Sequence, residues 1–262
     1  MISKTQYGPW ALITGGSEGV GAAFARQLGA AGINLLLVAR RAGPLEETAA
    51  GIRAESGVEV RVLPLDLSGP DMLERISGFA QGLEIGLVVC NAGSVSTTGP
   101  LVGAKTENVA ASVRQNTVGL ALLSHHFGKM MAVRGRGGIV LVGSMAGNAG
   151  GAGMVLYSAN KAFVQNFAEG LWAELKPQGV DVVYVVLGAV DTPERAKMGL
   201  HDAPDQIIDA PDDIARDTLA DIANGPVLVR PQIQEAFTMF SALPRREAAE
   251  AMRDMLAGFM AD

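Results

Sequence analysis

Trp10-Ala11-Leu12-Ile13-Thr14-Gly15-Gly16-Ser17-Glu18-Gly19-Val20-Gly21 joins a short apolar run directly to a glycine-rich turn. The first five residues read as a strand buried on both faces. The glycines allow a tight turn and let the backbone approach a pyrophosphate closely. A helical pattern follows over 19–31, whose first amides and dipole would hold a negative charge. A glycine-rich turn alone is weak evidence. With a strand before it and a helix after it, the turn reads as a dinucleotide fingerprint. Gly15, Ser17, Glu18, Gly19, Val20 and Gly21 are therefore candidate cofactor-binding residues.

Outward from this turn, Val/Leu/Ile-rich runs alternate with longer helical patterns. The spacing predicts strands over 10–14, 34–39, 59–64, 85–90, 139–143, 181–187 and 227–230. Helices are predicted near 19–31, 44–56, 69–80, 105–134, 152–177 and 211–223. That rhythm belongs to an α/β fold with a doubly wound parallel sheet and helices on both faces. With 262 residues and 48% hydrophobic content, the chain can bury a full core as one domain over 1–262. Two segments break the rhythm. Residues 193–210, rich in charge, proline and small residues, read as a lid over a site. Residues 244–260 read as a helix that could pack on its own domain, cover the pocket or meet another subunit.

A formal charge of −6 argues against nucleic acid as a partner. Cys90, the only cysteine, excludes an intramolecular disulfide and reads as an inert core residue. The first residues lack the basic and apolar regions of a signal peptide, and no run approaches the ~18–20 apolar residues of a membrane span. A cytoplasmic protein with no membrane partner is the expectation. No His/Cys/Asp cluster has metal-ligand spacing, so no metal is expected.

The second strand ends Val38-Ala39-Arg40-Arg41. NAD-binding folds usually place an acid here for the ribose hydroxyls, whereas an arginine accommodates the 2′-phosphate of NADP. Ala39 stands where the acid would be, so NADP(H) is the expected cofactor, with NAD(H) left open. Arg40 is the better candidate for the phosphate and Arg41 the second. Glu18 is a counter-signal unless it turns outward or pairs with an arginine. Asp66 and Leu67 would lie along the adenine, and Asn91, Ala92 and Gly93 would border the adenosine half, each at the carboxyl end of a strand.

At the chemical end, Tyr157-Ser158-Ala159-Asn160-Lys161 places a phenol and an ammonium on one helical face, roughly 6 Å apart along the axis. An ammonium there could stabilise a phenolate and turn a poor acid into a usable proton donor. Ser144 ends a strand upstream.

In this order, the Thr14–Gly21 turn, Asp66, Asn91-Ala92-Gly93, Asn116, Ser144, Tyr157-x-x-x-Lys161 and Gly188-Ala189-Val190-Asp191-Thr192 resemble the short-chain dehydrogenase/reductase family over roughly residues 8–230. The resemblance implies a seven-stranded Rossmann sheet and a catalytic tetrad of Asn116, Ser144, Tyr157 and Lys161. Tyr157 would exchange the proton, Ser144 would hydrogen-bond the carbonyl oxygen, and Lys161 would lower the tyrosine pKa and hold the nicotinamide ribose. Asn116 would anchor a relay water, while Gly188, Val190 and Thr192 would border the carboxamide. Relatives are mostly dimers or tetramers. Cys90 and Leu187 depart from the usual pattern without touching the tetrad.

The Ser-Glu-Gly-Val-Gly and Val-Ala-Arg-Arg segments are similar to the ketoacyl and hydroxysteroid reductase branch. The expected substrate wall, 94–98, 145–154, Ala189 and 192–211, is small and apolar, which suits a lipophilic ketone or alcohol. The alternative is an NADP(H)-sensing binding protein without chemistry; such proteins typically lose the tyrosine or lysine, and this chain keeps both.

Overall fold

The computed structural model describes residues 2–93, 99–193, 195 and 207–257. Seven parallel strands form one sheet: β1 (Trp10–Thr14), β2 (Asn34–Ala39), β3 (Val60–Pro64), β4 (Ile85–Cys90), β5 (Gly137–Val142), β6 (Val180–Val186) and β9 (Val227–Val229). Their order is β3-β2-β1-β4-β5-β6-β9, so the winding reverses between β1 and β4 and opens a crevice at their carboxyl ends. β7 (Ala189–Val190) and β8 (Ile208–Asp209) make a separate parallel pair beside that crevice.

Each central strand is buried on both faces, and alternate residues feed two cores. Leu12, Leu36, Val88, Leu141 and Val182 pack to one side. Ile13, Leu37, Val89, Val140 and Val183 pack to the other. Helices α1 (Lys4–Tyr7), α2 (Gly19–Ala30), α3 (Ala42–Ser56), α4 (Met72–Phe79), α5 (Thr106–Val113), α6 (Gly119–Arg134), α7 (Val155–Leu175) and α8 (Pro211–Asp221) accompany the sheet.

Several boundaries differ from the sequence reading for packing reasons. β5 begins at Gly137, two residues early, because glycine hides a strand from propensity. A Cβ at Gly137 would lie 2.5 Å from Met131, and one at Gly138 would lie 2.9 Å from Tyr7, so bare backbone is required at both. The helix predicted over 105–134 is interrupted by a π turn at Arg114–Val118, with Asn116 in its middle. The most consequential difference lies after β9. A short 3₁₀ turn, Pro231–Ile233, leads into α9 (Gln234–Ala242), which the sequence reading omitted.

The C-terminal helix, α10 (Arg245–Ala257), folds back onto its own domain and covers the pocket. Ala248, Met252 and Leu256 enter the core, and Leu256 lies 2.5 Å from where a Cβ on Gly151 would sit. Of the expected lid, residues 194 and 196–206 lie outside the described residues, as does 94–98 of the expected substrate wall.

Candidate active site

A cleft of about 600 Å³ follows the carboxyl ends of the strands. At one end lies the glycine turn. Gly15 (φ +70°) and Gly19 (φ +56°) adopt the left-handed conformation that side chains disfavour. Gly21 serves packing instead of lining the cleft: a Cβ there would come within 2.1 Å of the Gly15 carbonyl oxygen. Thr14 ties this turn to the end of β4, its hydroxyl accepting from the amides of Asn91 and Ala92 at 3.2 Å each. The Asn91 carboxamide donates to the Gly15 carbonyl at 3.2 Å, so it holds the turn shut from behind.

Gly15, Ser17, Glu18, Gly19, Val20, Arg40, Arg41, Leu67, Asn91, Ala92 and Gly93 line this half. Glu18 does not cap α2 with its side chain. Its carboxylate meets Arg41 at 2.7 Å, which neutralises the repulsion that the sequence raised against a phosphate. Arg40 stands exposed at the end of β2. Asp66 behaves differently from the expectation. Its carboxylate accepts from the Ser68 amide at 2.9 Å and hydroxyl at 2.8 Å, so Leu65 and Leu67 line the cleft in its place. The Ser68 amide holds that carboxyl below its ordinary pKa, with Arg40 adding to the effect. The helix amides and bare backbone of this turn, with Arg40 beside them, fit a dinucleotide.

At the other end, α7 presents Tyr157 and Lys161 toward Ser144, which follows β5. The Lys161 Nζ lies 5.6 Å from the Tyr157 ring centroid and donates to the Val142 carbonyl at 2.8 Å. Burial lowers its pKa to about 8. Burial also raises the Tyr157 pKa, and a hydrogen bond with Ser144 offsets part of that rise. The sequence reading had Lys161 lowering this pKa. In the structure desolvation at the phenol dominates and Ser144 supplies the opposing effect. Ser144 also caps the 3₁₀ turn Met145–Gly147, accepting from the Ala146 amide at 3.2 Å.

Asn116 stands behind this group, outside the cleft lining. Its amide donates to the Ser112 carbonyl at 2.8 Å. The Asn116 Oδ1 and the Lys161 Nζ lie 2.8 and 3.3 Å from the point a Cβ on Gly93 would occupy. Gly93 thus leaves the gap across which the two face each other. Tyr184, fully buried in β6, is a residue the sequence reading missed. Its hydroxyl accepts from the Ser144 amide at 3.1 Å and lies 3.4 Å from the Lys161 carbonyl, bracing both residues from below. Gly143 makes room for it, since a Cβ there would fall 2.1 Å from the Tyr184 ring, a relation the sequence does not display.

Gly188, Val190 and Thr192 border the centre of the cleft, and the Thr192 methyl lies 3.1 Å from a Cβ position on Gly19. Beyond them the wall is largely apolar. Met145, Met154, Pro193 and Ala189 belonged to the expected wall, and Met255 and Leu256 come from the helix read over 244–260, for which covering the pocket was one of the options; Ile233 and Ala236, from α9 and the turn before it, were not read. Asn148 fastens these helices to the loop after β5: its carbonyl accepts from Arg245 at 3.0 Å, and its amide meets the Ser241 hydroxyl at 3.3 Å. Among the described residues, no group of three His, Cys, Asp or Glu side chains could hold a metal ion. No described helix is long and apolar enough to cross a membrane.

The family model for short chain dehydrogenases matches residues 9–202. The 7beta-hydroxysteroid dehydrogenase of Collinsella aerofaciens is 33% identical over 196 residues, covering 74% of this chain and 73% of that protein. A solved structure from work on 7beta-hydroxysteroid dehydrogenase stereoselectivity superposes with a TM-score of 0.90 at 27% identity, covering 96% of this chain and 99% of the other. A short-chain dehydrogenase from Sphingobium yanoikuyae, solved in complex with NADPH, gives a TM-score of 0.79 at 30% identity and covers 97% of each chain. The chain belongs to the short-chain dehydrogenase/reductase family. It is an oxidoreductase of the kind that interconverts CH–OH and C=O groups with a nicotinamide cofactor.

Proposed function

We propose that this protein is an NADP(H)-dependent reductase, or the reverse dehydrogenase, of lipophilic ketones. The observation that carries the proposal is the meeting of Ser144, Tyr157 and Lys161 at one end of a cleft whose remaining wall is apolar. When bound, the nicotinamide supplies the hydride that adds to the carbonyl carbon. Ser144 hydrogen-bonds the carbonyl oxygen as its charge grows, and Tyr157 delivers the proton that completes the alcohol. Lys161 would hold the ribose and pass a proton back toward the Tyr157 phenolate, with Asn116 anchoring a water that connects Lys161 to a proton supply.

Arg40 binds the 2′-phosphate, because Arg41 is engaged by Glu18. A charge-assisted contact of that kind is worth about 1.5–3 kcal/mol, enough for a clear preference over NADH. We further infer one catalytic domain over residues 1–262 that pairs with copies of itself. Val113, Val118, Leu122 and Phe163, exposed on α5, the π turn, α6 and α7, supply an apolar face for that contact.

The test is a panel of ketones and secondary alcohols read by nicotinamide absorbance with both cofactors. NADPH-linked turnover of steroid, aryl or long-chain ketones is expected. Preference for small charged keto acids would overturn the substrate class. No turnover with saturable NADPH binding would favour the sensing alternative.

A further inference from the structure

Among the described residues, Arg230 is a buried charge beside the cleft that the chemistry above does not use. Arg230 directly follows β9, and its side chain is only 4% exposed. Its guanidinium meets the Asp209 carboxylate at 3.1 Å, itself 5% exposed, and also bonds the Asp217 carboxylate of α8. A buried cation held by two carboxylates is costly to desolvate, so its position is set sharply by geometry.

Each partner of Arg230 leads to a different part of the site. Asp209 belongs to β8, whose backbone pairs with β7: Asp209 is in register with Val190, and the Asp191 amide donates to the Asp209 carbonyl at 3.0 Å. Val190 and Thr192 border the middle of the cleft, and Thr192 touches the glycine turn. In the other direction, the Arg230 carbonyl accepts from the Ile233 amide at 3.0 Å and so starts the turn Pro231–Ile233. Ile233 lines the cleft, and its methyl lies 2.9 Å from where a Cβ on Gly188 would sit. One residue thus fixes the nicotinamide-side strand through its side chain and the substrate-side turn through its backbone.

We propose that Arg230 is a positioning residue: through Asp209 it sets where β7 stands relative to the Pro231–Ile233 turn, and so how the nicotinamide and the carbonyl are brought together. This rests on the hydride-transfer reading only in its kinetic consequence. Arg230 touches neither end of the reaction and acts through the two backbones it joins.

Removing Arg230 alone strands a buried aspartate, so Arg230→Met could fail to fold. The deciding variant is Arg230→Met with Asp209→Asn, which removes the pair together. The readouts are the emission of bound NADPH, the affinity for adenosine 2′,5′-bisphosphate, kcat and KM for a ketone, and Tm. The expected result is that the emission enhancement of bound NADPH falls by half or more and kcat drops about tenfold with a raised KM. Adenosine 2′,5′-bisphosphate should bind within twofold of the parent, because its site lies at the other end. Arg230→Lys, which keeps the charge but reaches one carboxylate, should fall between the two. A purely structural role would lower Tm while leaving emission and kcat within twofold, and that outcome overturns the proposal. If the parent protein turns over no ketone, the hydride-transfer reading fails, and the emission and bisphosphate measurements still decide the role of Arg230.

Discussion

The two halves of the cleft are made of different material. The cofactor half is mostly backbone: left-handed glycines, helix amides and strand ends bound to one another, as in the Thr14–Asn91–Gly15 contacts. The substrate half is mostly side chains, and Met255, Leu256, Ile233 and Ala236 reach it from elements that follow the sheet. Backbone sites tolerate little change and recur with the fold. Side-chain walls can be rebuilt one residue at a time, which is how one scaffold comes to serve many substrates.

If the halves are separable, changes at their junction and in each half should act on different quantities. Tyr157→Phe should have the largest effect, cutting turnover by about 10³-fold while NADPH titrations stay within twofold. A variant that keeps its activity would remove Tyr157 from the proton transfer. Arg40→Ala should weaken NADPH by roughly 10–100-fold and NADH hardly at all. Equal losses for the two cofactors, in the same fluorescence titration, would place the phosphate elsewhere.

Met255→Ala should raise KM for bulky ketones about tenfold and leave both cofactor affinities unchanged. A parallel loss of NADPH affinity would show that the halves are coupled after all.

The smallest effect concerns stability. Burial lowers the Lys161 pKa from 10.5 to about 8. Below about pH 8 the folded protein therefore carries a buried ammonium at a cost. Between about 8 and 10.5 the unfolded chain binds more protons than the folded one, so stability climbs with pH. Lys161→Met should then be inactive yet melt of the order of 2–4 °C higher at pH 7, with the gain shrinking toward pH 10. Calorimetry of the cofactor-free proteins across that range checks the sign.

The same division governed what the sequence disclosed. The glycine turn, the arginines after β2 and the Tyr157/Lys161 spacing are local patterns, and local patterns survive without a fold. Asp66 matched its motif, yet its carboxylate turned to Ser68, because a short acidic side chain after a strand satisfies the nearest amides first. Tyr184 was illegible: in sequence it is one more aromatic residue in an apolar strand, and its role depends on Gly143 opposite. The π turn around Asn116 was also illegible, since one extra residue barely disturbs helical periodicity. The helix α9 went unread because its packing partner, the loop carrying Asn148, lies far back in the chain.

The placement of α9 and α10 after β9 has a consequence for how the molecule is made. Translation proceeds at roughly 5–20 residues per second. Every strand of the sheet, and with it the cofactor half, leaves the ribosome a second to several seconds before Met255 and Leu256 do. During that interval the nascent chain lacks the part of the cleft wall that α9 and α10 supply. The side chains that shape the apolar end of the cleft from α9 and α10 are thus the last to be made.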